Sequence, residues 1–565
     1  MAETDLADPR AGTGGHHETV FCTVIIDAQP EIEFAQKDKF ARWDWCEVTA
    51  FKPKADHDDA ASIQIEDLAF RRFAARFVTA ASMASSLSGS FVGRHGLWGP
   101  DAIASAEQVR AVVREQGLEC IRFAFADQHG ILRGKTVAAA ALDEFLYGGC
   151  GMSATLLMKD TSCRTVFPVW SEAGAGLPGF RGACDMIMVA DPATFRILPW
   201  ARKTGWLLCD LHFLDGGIIP YSPRQIARQA AEAMTAAGYD HIAGLEIEFH
   251  VFRLVDAATG LADVGQPGNP PDVSHSSRGY QYLAEEQYDR LEPVMSVVHD
   301  ACVALGLPLR TLEAEFGPSQ VELTFAPQPA LQLADNTVLL RSAIRQVCRR
   351  HGYHATFMTR PALPNVASSG WHLHQSLCAR DSGANLFVPQ SEGEPLSPIG
   401  SAFAAGLLEH AVAACLLTTP TINGYKRYRP FSLAPDRVLW GRDNRAAMLR
   451  VISSPGSAAS RIENRVGEPA ANPYLYVASQ MLCGLDGIER GLLPPPPCEA
   501  PYASDATRLP ASMAAALGAF EASGFLRDAL GPDVADWFAA IKRAELERFL
   551  GEVTDWEQRE YFDLF

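Results

Sequence analysis

Hydrophobic and polar positions along the chain change period several times, and each change marks an element. Leu68–Met83 repeats apolar residues at helical spacing with arginines opposite, which predicts an amphipathic helix. Ser105–Gln116 predicts a second helix, with Ser105 and the following Glu and Gln as its start signal. Cys120–Phe125 is strand-like and ends at the turn Gln128-His129-Gly130. Ser222-Pro223-Arg224 opens a helix through Ala237, with proline where a first helical turn tolerates it. Gly265–Gly279 is a Gly-, Pro- and Ser-rich loop, and Pro494–Pro497 a stiff connector.

Four strand-like runs carry charge at every second position. In Gly244–Phe252, Leu245, Ile247, Phe249 and Val251 fall on one face and Glu246, Glu248 and His250 on the other. The two carboxylates sit about 7 Å apart on that face. Taken alone, the run reads first as an edge strand with a solvated face. The pattern recurs, however. Glu315 and Glu322 bracket the turn Phe316-Gly317-Pro318-Ser319, and Gln320, Glu322 and Thr324 then alternate with Val321, Leu323 and Phe325. His372 and His374 alternate with Trp371 and Leu373, and Arg461, Glu463 and Arg465 with Ile462 and Val466.

Converging carboxylates are costly without compensating charge. Mg²⁺ or Mn²⁺ with oxygen ligands and an imidazole would supply it, and Arg427, Arg445, Arg450, Arg461 and Arg465 suit phosphate or carboxylate binding. Together they point to metal-dependent phosphoryl transfer, without a GxxxxGK[ST] loop. A net charge of -18 over 565 residues argues against nucleic acid as the partner. The longest apolar stretch, Ala402–Leu417, is broken by Glu409 and His410, so no membrane span is expected. No hydrophobic run opens the chain, and the 13 cysteines are scattered singly. Reduced, mostly buried thiols and a cytoplasmic location are expected.

From about Ser105 onward the chain resembles the glutamine synthetase superfamily. The matches are GLEIEF (Glu246, Glu248), EFGPSQVE (Glu315, Glu322), HLHQS (His372, His374, Ser376), NGYKR (Asn423–Arg427), WGRDNR (Trp440–Arg445) and RIENR with ANPYL (Arg461–Arg465, Ala471–Leu475). The resemblance implies an α+β fold with a β-grasp domain over 103–215, and over 216–565 a catalytic domain with a curved antiparallel sheet. Residues 1–102 form an extension of unknown role, part of it expected to be disordered. Decameric or dodecameric rings are also implied.

By the same resemblance, Glu248, Glu315 and Glu322 would hold one metal and Glu246, His372 and Glu463 another, two or three Mg or Mn ions per site in all. Arg427, Arg465 and Ser368 would bind glutamate. Arg445, Arg450 and Arg461 would act on the phosphates, and His374, Ser376 and Arg461 would meet ATP.

Three departures stand out. Family members that use ammonia carry an acid in GYEAP where this chain has Leu433, and an Asp in an FDGSS-like loop where it has Cys150-Gly151-Met152-Ser153-Ala154. Leu433 and Met152 are therefore expected to line a pocket for an organic amine. The family's NGSGMH, whose Asn-Gly backbone cradles the glutamate amino end, is replaced by Ala367–His372. Val553–Phe565 is similar to the end of γ-glutamylamine ligases of amine catabolism. The expected activity is ligation of the glutamate γ-carboxylate to an amine, favouring aromatic or bulky apolar amines. The alternatives are ammonia-using glutamine synthetase and a non-catalytic family member.

Overall fold

The computed structural model describes residue 87 and residues 89–171, 176–180, 182–256 and 258–565. The helix expected over Leu68–Met83 lies outside them. Residues Ala84–Phe565 form one compact unit.

Among the described residues, the N-terminal sheet has six strands: β1 (Cys120–Ala126), β2 (Leu132–Ala138), β3 (Cys150–Ser153), β4 (Asp185–Ala190), β5 (Arg196–Ile197) and β6 (Thr204–His212). Their order is β2-β1-β6-β4-β3 with β5 on β6, and β1 runs parallel to β6. The helix in front of it spans Pro100–Glu115 rather than starting at Ser105. Pro100, with its fixed φ and no N–H to leave unpaired, occupies the first turn.

The second sheet contains β7 (Tyr239–Leu254), β8 (Val273–His275), β9 (Leu309–Ala314), β10 (Gln320–Phe325), β11 (Gln328–Pro329), β12 (Tyr353–Thr356), β13 (Trp371–Ala379), β14 (Trp440–Arg442), β15 (Leu449–Ile452) and β16 (Arg461–Asn464). Its order is β14-β15-β16-β13-β7-β10-β9. The fold is α+β, as expected. Strand β8 falls inside the segment predicted as loop, where it pairs with the far end of β7.

Helix Pro223–Ala236 forms as predicted. The apolar stretch around Ala402–Leu417 becomes two helices, Pro398–Glu409 and Ala411–Thr418, bent by 79°. At the break His410 stacks on Phe525 and meets Asp486 at 2.7 Å. Both helices are buried over much of their length. Among the described residues no single helix is long and apolar enough to cross a membrane. The helix Pro532–Leu550 packs on the N-terminal region, where Trp537 Nε1 donates to the Leu157 carbonyl at 2.7 Å.

Candidate active site

Strand register assembles the site. Residues directly opposite each other in an antiparallel pair share a face. Glu248 lies opposite Glu322 across β7–β10, and Glu246 opposite His372 across β7–β13. Glu463 lies opposite His374 across β16–β13, and Arg450 opposite Glu463 across β15–β16. The charged positions of separate runs thus form one stripe across the sheet. Strand β7 is interior, with β10 and β13 as neighbours, so the solvated-edge reading does not hold. Its other face, Leu245, Ile247, Phe249 and Val251, is fully buried.

Ligand atoms of Glu248, Glu315 and Glu322 lie within 4.8 Å of one another, as do those of Glu246, Glu322 and His372 and those of Glu246, His374 and Glu463. His372 Nδ1 is 2.5 Å from Glu246 and 3.7 Å from Glu463. His374 Nε2 is 2.9 Å from Glu246, so His374, expected at the nucleotide, also joins the carboxylates.

The charges are unbalanced. Burial and then the neighbouring carboxylates push Glu322 up to about 11. Burial and Glu315 push Glu248 to about 8, and burial raises Glu315 to about 7 although the Phe316 N–H opposes it. Burial also acts on Glu246, but His372 and His374 hold it well below the usual carboxylate range. His372 is pushed down to about 4 by burial and by Arg465. The His372 imidazole, held neutral, and the crowded carboxylates make a donor set that fits Mg²⁺ or Mn²⁺.

Arginines border the stripe. Buried Arg427 donates to the Arg465 carbonyl at 2.8 Å, and its other terminal nitrogen is 3.2 Å from His372 Nε2. Gly370 makes that approach possible, because a Cβ there would fall 2.4 Å from the Arg427 guanidinium. Arg465 donates to fully buried Glu463 and to the Leu433 carbonyl. Arg450 donates to Glu463 at 3.0 Å, and Arg461 Nε to His374 Nδ1 at 3.1 Å. Arg445 is exposed, and its charge acts on the Tyr282 hydroxyl. Ser376 follows His374 by two positions on the same face of β13. Ser368 accepts from Arg360 through its hydroxyl and from Gln320 through its carbonyl.

Met152 and Leu433, expected to line the amine pocket, differ in exposure. Alternation along β3 turns Cys150 and Met152 inward, and Met152 is packed in the core with 7% exposure. The partly exposed positions of that strand are Gly151 and Ser153. Leu433 sits on a loop at 56% exposure with φ 58°, near Phe431, whose ring packs on Tyr502 at 5.1 Å.

Two features escaped sequence reasoning. Gln320 donates to Glu248 at 3.1 Å and to Ser369 at 3.0 Å, orienting a carboxylate of the stripe. Tyr280 and Tyr282 pack on Phe316 at 5.7 and 6.2 Å, making an exposed aromatic group beside Glu315. The spacing Tyr280-Gln281-Tyr282 after Gly279 was the available signal.

Residues 220–561 match the family model described as glutamine synthetase, catalytic domain. The chain is 43% identical over 494 residues to a gamma-glutamylanilide synthase of Acinetobacter sp, covering 84% of this chain and 99% of that protein. It is 34% identical to gamma-glutamylethanolamide synthetase of Streptomyces coelicolor, covering 81% and 95%, and 32% identical to glutamate–isopropylamine ligase of Pseudomonas sp, covering 81% and 98%. The solved structure of apo GmaS without ligand superposes with a TM-score of 0.68 at 28% identity, over 80% of this chain and 99% of that one.

Proposed function

The chain belongs to the glutamine synthetase family, and on that premise we propose that it is an ATP-dependent carbon–nitrogen ligase joining the γ-carboxylate of glutamate to an aromatic amine. Relatives named for anilide, ethanolamide and isopropylamine products support the ligase reading. The observation that carries the choice of amine is the Leu433 loop. It is tied to Arg465 through its backbone, yet presents Leu433 and Phe431 where ammonia-using relatives present an acid. An apolar loop without a carboxylate neither attracts NH₄⁺ nor takes its proton.

Arg427 and Arg465 would hold the glutamate carboxylates, with Ser368 beside them. Arg445, Arg450 and Arg461 would hold the ATP phosphates, and His374 and Ser376 would meet the nucleotide. Glu248, Glu315 and Glu322 would hold one divalent ion and Glu246, His372 and Glu463 another, which together neutralise phosphate charge and position the reacting oxygens. The γ-carboxylate oxygen attacks the γ-phosphorus of ATP, and ADP leaves. The amine nitrogen then attacks the acyl carbon of γ-glutamyl phosphate, phosphate leaves with the C–O bond electrons, and the nitrogen releases its proton. An alkylamine, with a pKa near that of Lys at about 10.4, must be deprotonated before attack. An aniline-type amine arrives neutral and needs no acid at position 433.

The N-terminal sheet over 103–215 serves as the β-grasp domain in this reading, and 216–565 as the catalytic domain. Ring assembly and a cytoplasmic location accompany it. The test is phosphate release from the purified protein with ATP, Mg²⁺ or Mn²⁺ and L-glutamate. The acceptors are ammonium, putrescine, ethanolamine, isopropylamine and aniline, with products checked by mass. Aniline is expected to outpace ammonium at least tenfold. Ammonium as the best acceptor would make the enzyme a glutamine synthetase, and silence with every acceptor would leave a non-catalytic family member.

A further inference from the structure

A cavity of about 710 Å³ lies between the N-terminal turn Gln128–Leu132 and the helix Ala330–Arg350. In a chain of net charge -18, its lining carries Arg341, Arg345, Arg349, Arg350 and Lys542 and no Asp or Glu. Arg341, Arg345 and Arg349 follow at intervals of four and share one helix face, where like charges repel. The helix C-terminus favours cations in its last turn, which accounts for Arg349 and Arg350. It does not account for Arg345 or Arg341.

Arg341 is more than nine-tenths buried, yet its guanidinium donates to carbonyls alone, those of Pro469, Ala471 and Gly130 at 2.8–3.1 Å. The carboxylates nearby are otherwise engaged. Asp127 pairs with Arg133 at 2.8 Å, Glu468 accepts from Thr359 and Thr421, and Glu545 answers Lys542 at 3.0 Å. Among the described residues, the guanidinium groups of Arg345 and Arg349 have no hydrogen-bond or ion-pair partner. A buried cation with neither carboxylate nor water-exposed head is costly, and a multiply charged anion would offset both that cost and the repulsion along the helix. The space exceeds a bare phosphate, and Tyr353, Phe357 and Met358 add an apolar wall.

We propose that this cavity is a second anion site, separate from the candidate active site, which takes a small organic phosphate with a ring, of the nucleoside monophosphate kind. Arginine forks match phosphate oxygens, and the apolar wall matches the ring. Asn423, which lines the cavity, exchanges two hydrogen bonds with the Arg360 backbone, and Arg360 reaches Ser368 at 3.2 Å. Ser368 and Glu248 share Gln320, so the site has a hydrogen-bonded route to the carboxylate stripe.

The experiment is calorimetric titration of the full-length protein with AMP, with ribose 5-phosphate and citrate as parallel arms. Wild type is expected to bind two equivalents of AMP per chain. The R345E/R349E double variant should bind one, with at least a tenfold loss at the other, while amine-dependent phosphate release without AMP stays within twofold. Arg345→Gln alone, a milder change at an exposed position, should weaken the same equivalent. One equivalent in wild type, or two undiminished equivalents in R345E/R349E, overturns the proposal. Citrate binding as tightly as AMP overturns the assignment to a phosphate, and ribose 5-phosphate matching AMP would show that the phosphate and sugar suffice without the base.

Discussion

Burial, and then Glu246, Glu248, Glu315 and Glu313, all oppose the ionisation of Glu322. Glu322→Gln is therefore expected to make the metal-free protein about 1–3 kcal/mol more stable, because it removes a buried like-charge conflict. The same variant should lose most of the thermal stabilisation that Mg²⁺ or Mn²⁺ gives wild type. Thermal melts with EDTA and with saturating metal check both, and a metal-induced rise as large as in wild type would count against the assignment of Glu322. Gly370→Ala tests the arginine next to it. The added Cβ would meet Arg427 at 2.4 Å, so the KM for glutamate is expected to rise at least tenfold in steady-state assays, with a smaller effect on that for ATP. Residue types were legible at this scale. The acids, histidines and arginines stood out by alternation, and Leu433 by what it replaces. Gln320 did not, because an uncharged side chain in a polar run carries no signal until its partners are seen.

The elements were legible where a local rule governs them, and less so where distant partners decide. Pro223 at a first turn predicted its helix, but the signal at Ser105 misplaced another because Pro100 had already started it. Strand β8 was hidden in a Gly- and Pro-rich segment, since its pairing depends on the far end of β7. Alternation in β7 was plain, whereas which carboxylate faces which histidine depends on register. The side to which Met152 turns was hidden for the same reason, because the inward face of β3 is set by its pairing with β4. Glu468 illustrates how loops between these strands are tied together. It accepts from the Thr421 N–H and hydroxyl and from the Thr359 hydroxyl. Burial raises it to about 7 even so. A carboxyl raised in the folded state favours folding fully below its ordinary value of 4.5, and that contribution is lost as pH rises through about 7. Glu468→Gln should therefore flatten the fall in stability between pH 5 and 8, measured by denaturant melts. An unchanged pH slope would mean that Glu468 is ionised throughout.

At the scale of the molecule, residues Ala84–Phe565 form a compact unit by themselves. A protein lacking residues 1–83 is expected to fold and to keep amine-dependent phosphate release within about threefold, a difference of well under 1 kcal/mol in barrier. A loss of a hundredfold would assign those residues a part in the reaction. Mass photometry on the full chain tests ring assembly, with decamers or dodecamers of a 61.3 kDa subunit expected. The stripe that crosses β10, β7, β13, β16 and β15 has a consequence for how the protein reaches its working state. A slip of one residue in any of those pairings turns every side chain of the slipped strand to the opposite face. The cluster of carboxylates and imidazoles would then be incomplete, so a divalent ion would find its full donor set only in chains whose strands are all aligned. Divalent ions held there would act as proofreaders of the sheet: they would stabilise aligned chains and leave misaligned ones without that gain, so that refolding in Mg²⁺ is expected to enrich the aligned form.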